Sequence, residues 1–293
     1  MIVFKGTTGL NTAVDPTRLS FSAENGIQDL AACKNIDIDD TGRISRRKGF
    51  EKKVSGSFHS GFSCNTYGLC VSGDALTVLN VDYSTDAIRV VTHNARMRYV
   101  KVGKEIYYCN GFETGYVRNK VSYSWTAALE LAEVTTRVLS SPPVGHNLCF
   151  FNGRIYIAVD ENIYFSEPNS RNHFDLARSV LRESSRIRLL TAVEDGIYIG
   201  SETEITFYDR EWNRKVVADY PAIEGTEVVV MAGQIGEIED SGKVVLMATE
   251  EGLAAGFAGG KFVNFSEDKV RYPSAKYGAG IFKNRKYIVT LQP

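Results

Sequence analysis

Asp37-x-Asp39-x-Thr41-Gly42 has the spacing that opens an EF-hand calcium loop. Such a loop closes with a bidentate Glu at its twelfth position, and here that position is Lys48. The stretch therefore reads as a turn. Gly252 to Lys261 is rich enough in glycine to suggest a phosphate cradle. A P-loop needs Gly five residues ahead of its Gly-Lys pair and Ser or Thr after it. Residue 255 is Ala and residue 262 is Phe, so a glycine-rich turn between two strands is expected. His59, His93, His146 and His173 show neither HxH nor HExxH spacing, so a zinc site has no local signal. There is no GxSxG elbow and no local Cys–His pair for a nucleophile. Acid/base cleavage of a glycoside needs two facing carboxylates, and the 35 acidic residues single out no pair. The expectation is a protein that is not an enzyme, with no catalytic residues, no cofactor and no metal.

The strongest charged feature is the basic run Arg43, Arg46, Arg47 and Lys48, continued by Lys52 and Lys53. Three roles are open to it. It is a solvated strand face, a docking strip for an acidic partner surface, or a DNA contact. The last is the weakest, because no aromatic residues interleave the cations as in single-strand platforms. In an extended strand alternate residues share a face. That places Arg46 and Lys48 on one side and Arg43, Ser45 and Arg47 on the other.

The elements that must position these residues are strands. The 293 residues are 43% apolar and 24% charged, with Lys plus Arg at 34, Asp plus Glu at 35 and a net charge of -1. This excludes a disordered chain, a collagen and a disulfide knot, and argues against a dedicated DNA-coating protein. No run approaches 18 apolar residues, so no membrane span is expected. No signal peptide is read at Met1 to Lys5. Cys33, Cys64, Cys70, Cys109 and Cys149 include no CxxC and are odd in number. They read as buried free thiols of a reducing cytosol.

Between 26 glycines lie short runs rich in Val, Ile, Tyr and Phe, such as Arg154-Ile-Tyr-Ile-Ala158 and Gly196-Ile-Tyr-Ile-Gly200. β-branched and aromatic residues suit a pleated, half-buried surface. Helical signals are confined to Trp125–Val138 and to one possible turn within Phe174–Leu190. One unit recurs, anchored on Leu69, Ile106, Ile155, Ile197, Val244 and Tyr287, at intervals of 37 to 49 residues. A mean near 44 matches a four-stranded propeller blade of about 40–50 residues. An all-β, β-propeller-like fold of about five or six blades is expected over residues 56–293, preceded by an N-terminal arm and hairpin over 1–55. The competing arrangement is a sandwich or barrel. Neither a WD nor a kelch pattern recurs.

Within the arm, Asn35-Ile-Asp-Ile-Asp39 alternates polar and apolar residues, Asp40-Thr41-Gly42 is turn chemistry, and Arg43 to Lys48 returns as a strand. Asn11 to Arg18 reads as an extended segment bent at Pro16. The string Gly9-Leu-Asn11, then Leu30-x-x-x-x-Asn35-Ile-Asp-Ile-Asp-x-x-Gly42-Arg-Ile-x-Arg-Arg47-x-Gly49, resembles the start of phage tail proteins of the podovirus nozzle and packaged-DNA stabilisation type. Ile163-Tyr-Phe-Ser-Glu-Pro168 with His173-Phe-Asp175 is similar to a blade segment of that family. The resemblance is specific over about 20 residues and looser over the repeats. It implies a structural virion protein made in the host bacterial cytoplasm. It further implies a homo-oligomeric ring, of six copies in the family, beneath the portal and adaptor. That ring extends or closes the channel for genomic DNA, without sequence-specific contact. The alternatives are a propeller glycan hydrolase or lyase, and a monomeric propeller binding module.

Overall fold

A computed structural model describes residues 7–19, 21–22, 26–27, 29–39, 41–49, 51–127, 137–235, 242–266, 269–272 and 275–293. Among the described residues the arm holds three two-stranded pairs. β1 (Gly9–Leu10) runs parallel to β4 (Asp29–Leu30), β2 (Phe21–Ser22) is antiparallel to β3 (Gly26–Ile27), and β5 (Ile36–Ile38) is antiparallel to β6 (Ile44–Arg46). A single 3-10 turn, Pro16–Arg18, replaces the extended reading there. Pro sits at its start and the Asp15 carboxylate accepts from Thr17 N at 2.8 Å, the usual capping chemistry.

Six small antiparallel sheets follow, each a meander in which successive strands pair. Blade 1 is β7 (His59–Ser63), β8 (Gly68–Ser72), β9 (Ala75–Leu79) and β10 (Thr85–Val90). Blade 2 is β11 (Arg98–Val102), β12 (Glu105–Cys109), β13 (Thr114–Arg118) and β14 (Val121–Ser124). Blade 3 is β15 (Asn147–Phe151), β16 (Arg154–Val159), β17 (Asn162–Phe165) and β18 (Val180–Arg182). Blade 4 is β19 (Ile187–Ala192), β20 (Gly196–Ser201), β21 (Ile205–Asp209) and β22 (Arg214–Ala218). Blade 5 is β23 (Val228–Met231), β24 (Lys243–Thr249), β25 (Gly252–Gly256) and β26 (Phe262–Asn264). The sixth sheet has two strands, β27 (Tyr277–Lys283) and β28 (Lys286–Gln292). The chain is an all-β propeller, and each of the six repeat anchors lies on the second strand of its sheet.

Local chemistry explains the turns. Asn119–Lys120, Asn152–Gly153 and Asn284–Arg285 each place two successive residues at positive φ. That is the two-residue hairpin turn whose twist matches the strands, and Asn tolerates it best after Gly. Packing follows from the period of two. Ile106, Ile155 and Ile197 face the preceding blade, and their neighbours Tyr107, Tyr156 and Tyr198 face the next one.

Two sequence expectations change. Trp125 to Ala127 is irregular and not helical, and the rest of that window, 128–136, lies outside the described residues. In Phe174–Leu190 only Asp175–Ser179 closes a turn, with Ser179 N donating to Asp175 O at 2.8 Å. Val180–Arg182 and Ile187 onward are strand, because their apolar side chains complete blade cores. The glycine-rich stretch also divides. Gly252–Gly256 is β25 itself, and the connection is the short turn Ala258–Gly260.

Cys64, Cys70, Cys109 and Cys149 are buried free thiols, whereas Cys33, in the arm, is exposed. Burial pushes the Cys64 thiol up to about 11 and raises Cys109 and Cys149 as well. Titration with Ellman's reagent is expected to modify Cys33 within minutes in the native protein and the other four only after unfolding. Rapid reaction of a second thiol would contradict that burial.

Candidate functional site

The hairpin β5–β6 is built by its turn. The Asp39 carboxylate accepts from Thr41 N at 2.9 Å, Thr41 Oγ1 at 2.6 Å and Arg43 N at 3.0 Å, and Gly42 N donates to Asp39 O at 2.9 Å. These bonds hold the Asp39 carboxyl below the usual carboxylate range. Asp39 thus does the work the sequence reading gave to Asp40, which lies outside the described residues. An Asp closes an Asx turn by accepting from the N–H two residues on, a rule that Asp39 and Asp40 satisfy equally in the sequence. Gly42 has φ 78°, a conformation that favours glycine. Gly42→Val is expected to cost about 1 kcal/mol or more locally. The readout is trypsin cleavage at Arg43 to Lys48, faster in the variant while the blades melt unchanged. Equal cleavage rates would reject the strained turn.

The pairing Ile36↔Arg46 and Ile38↔Ile44 puts Arg46 on the isoleucine face, and Asp37↔Ser45 defines the other. Arg43, Arg46, Arg47 and Lys48 are all exposed. They do not form one uniform strip. Arg47 lies 3.8 Å from Asp37, which also holds Lys286 of the sixth sheet at 3.4 Å. Asp29 ties the arm to the propeller through Lys269 at 3.1 Å, and Thr12 N donates to Lys269 O at 2.7 Å. The arm is therefore seated beside blade 5 and the sixth sheet, with Arg43, Arg46 and Lys48 left facing outward.

The second candidate was not legible in the sequence. The inner strands of all six sheets surround an axial cavity of about 970 Å³. Arg98, on β11, reaches Glu227 at 3.0 Å and Glu224 at 3.7 Å, three blades further round the ring. Arg96 donates to Gly278 O at 3.3 Å and to Gln292 Oε1 at 3.1 Å, and lies over the Tyr277 ring at 4.6 Å. Burial raises the Glu227 carboxyl above its ordinary range, and Arg98 beside it brings it only part of the way back. His59 also lines the cavity. Burial, helped by Arg96, lowers its pKa, so it is neutral. Arg96 and its partners lie 182 and 196 positions apart in the chain, and no local pattern links them.

Glu224 and Glu227 are two carboxylates close to one axis, but both are turned onto the same guanidinium. That arrangement is a structural clasp rather than an acid and base flanking a bond. Two further histidines are spoken for: His146 Nε2 lies 2.7 Å from Ile187 O, and His173 Nδ1 lies 2.8 Å from Ser170 Oγ. Among the described residues no three His, Cys, Asp or Glu side chains converge as metal ligands, and no helix is long and apolar enough to cross a membrane.

Five four-stranded sheets and a two-stranded sixth around one cavity define a β-propeller. No family model matches the chain, and no curated protein matches it. Solved structures do. A streptogramin B lyase structure superposes with TM-score 0.50 over 88% of this chain and 86% of its own, at 6% identity. Virginiamycin B lyase from Staphylococcus aureus gives TM-score 0.49 over 75% and 72%, at 10% identity. The Pan2 WD40 domain of Neurospora crassa gives TM-score 0.42 over 69% and 61%, at 10% identity. At such identities the likeness is one of fold alone.

Proposed function

We propose that this chain is a structural virion protein of a phage tail, of the nozzle or adaptor-associated kind, whose copies assemble into a ring around the DNA exit channel. The observation that carries the reading is the β5–β6 hairpin. It stands as its own sheet ahead of the blades, is tied to them by Asp37 and Asp29, and turns Arg43, Arg46 and Lys48 outward. The residues that build it are those that resemble the tail family. Arg is suited to carboxylates because its planar fork binds two oxygens at once, so the partner surface is acidic. A heterologous contact of this kind, repeated with a closing rotation, generates a ring. In this reading duplex DNA passes between subunits and not along the propeller axis, which the Arg98–Glu227 pair spans.

The test is incorporation of purified subunits into tail-less particles. Arg46→Glu with Lys48→Glu is expected to reduce incorporation at least tenfold at low salt, while Arg47→Glu acts mainly through its own contact with Asp37. Normal incorporation of the folded double variant would sink the docking role. The lyase or hydrolase alternative draws on Glu227 in the axial cavity; turnover of a glycan that Glu227→Gln abolishes would favour it instead.

A further inference from the structure

The axial cavity, at about 970 Å³, is of the size that holds small molecules, and its charge is one-sided. Among the described residues four cations line it, Arg96, Arg98, Lys101 and Lys243, against one carboxylate, Glu227. That carboxylate already lies 3.0 Å from Arg98 Nη1. Arg96 donates to neutral acceptors, Gly278 O and Gln292 Oε1. Lys101 and Lys243 are exposed, and among the described residues neither enters an ion pair. Cations gathered in a concave site raise the local concentration of anions.

The cations stand at two levels. Arg98 opens the inner strand β11, and Lys101 lies three residues along it, about 10 Å further. Lys243 pairs with Met231, the last residue of the inner strand β23. Each blade is the same meander begun at its inner strand. Both lysines therefore belong to the end of the cavity where the inner strands finish, and Arg98 to the end where they start.

Arg98 supplies a second, independent observation. Its Nε and Nη2 are buried, and among the described residues no group accepts a hydrogen bond from either. These two N–H groups form one edge of the guanidinium, the edge that takes a carboxylate side-on through two parallel bonds. Glu224 Oε1 stands 3.7 Å from Nη2, past hydrogen-bond reach. Leaving a buried charged donor unbonded costs more than an ordinary hydrogen bond contributes. The edge is therefore matched to an oxyanion seated closer than Glu224.

We propose that the axial cavity binds a small dicarboxylic acid, with one carboxylate displacing Glu224 from the Arg98 edge and the other held by Lys101 and Lys243. The group displaced is itself a carboxylate, so the edge is cut for one. The lysines offer point charges on flexible stems, which take the second carboxylate without fixing its orientation. Val100 and Val228 are among the apolar residues of the wall, which suits a methylene chain joining the two acids. This inference does not rest on the tail reading, which is decided by incorporation into particles.

The probes are adipate, its monoacid twin hexanoate and its neutral twin hexane-1,6-diol, titrated into the protein by calorimetry at low salt. Adipate is expected to bind saturably at one per chain, hexanoate about tenfold more weakly, and the diol not at all. Lys101→Gln with Lys243→Gln, both at exposed positions, should bring adipate down to the affinity of hexanoate and leave hexanoate unchanged. Glu224→Gln removes the competing carboxylate and should tighten both acids. Arg98→Lys keeps a charge beside Glu227 but loses the planar fork, so it should weaken both acids about tenfold. Should that variant misfold, Glu224→Gln and the lysine pair decide the matter. No binding of adipate, as when water alone satisfies the Arg98 edge, overturns the proposal. So does hexanoate or the diol binding as tightly as adipate, or adipate binding that the lysine double variant leaves unchanged.

Discussion

Arg98→Met is expected to destabilise the protein by about 3–5 kcal/mol at pH 8, because it leaves the buried Glu227 carboxylate without its cation. The sign of the pH dependence follows from Glu227. Its carboxyl is raised in the folded state by burial and binds its proton more tightly there than in the unfolded chain. Stability from this group is therefore fully present at low pH and is lost as pH rises through the folded pKa. Removing Arg98 removes the influence that lowers that pKa, so the loss deepens at neutral and alkaline pH. Urea unfolding of wild type and variant at pH 4.5 and pH 8 should show the smaller difference at pH 4.5. Adding Glu227→Gln to Arg98→Met should recover much of the loss at pH 8. A pH-independent difference would mean that Arg98 acts by packing alone.

Tyr198→Ala is expected to cost a further about 3–5 kcal/mol, the range for deleting a large buried aromatic. Tyr198 is fully buried between blades 4 and 5. Its hydroxyl donates to Phe257 O at 2.6 Å and lies 3.0 Å from Lys261 O, and its ring stands 5.0 Å from that of Phe207. The ring lies directly over Gly256, where an added Cβ would come within 2.6 Å of Tyr198 Cζ. Tyr198→Phe keeps the ring and drops one hydrogen bond, for about 1–1.5 kcal/mol. Gly256→Val should approach the alanine variant in effect, through overpacking instead of a cavity. The check is the melting temperature: at roughly 2–4 °C per kcal/mol for a chain near this size, Tyr198→Ala should lose about 10 °C. A shift below about 3 °C would show that blades 4 and 5 do not depend on this contact.

The blade repeat was readable because each second strand repeats an apolar run whose alternate residues face opposite neighbours. Ile106, Ile155 and Ile197 carry that pattern openly, and the turns at Asn119, Asn152 and Asn284 punctuate it. The hairpin at residues 35–47 was readable for a similar reason, since alternation on either side of Gly42 specifies its register. The identity of its capping residue was less so. Asp37, Asp39 and Asp40 are equally able to bond a backbone N–H, and only the bend of the chain selects Asp39.

Sequence alone determined the strand content, the repeat and the places of the tight turns, all of which arise from side-chain period and backbone preference within a few residues. It also determined which cations sit together on one short strand. The tertiary structure decided that Asp37 is shared by Arg47 and Lys286, and that Arg98 meets Glu224 and Glu227 at the axis. Those contacts join residues brought together by the turning of the ring. Their energies depend on burial and on distances of 3 to 4 Å, quantities that exist only once the blades are stacked.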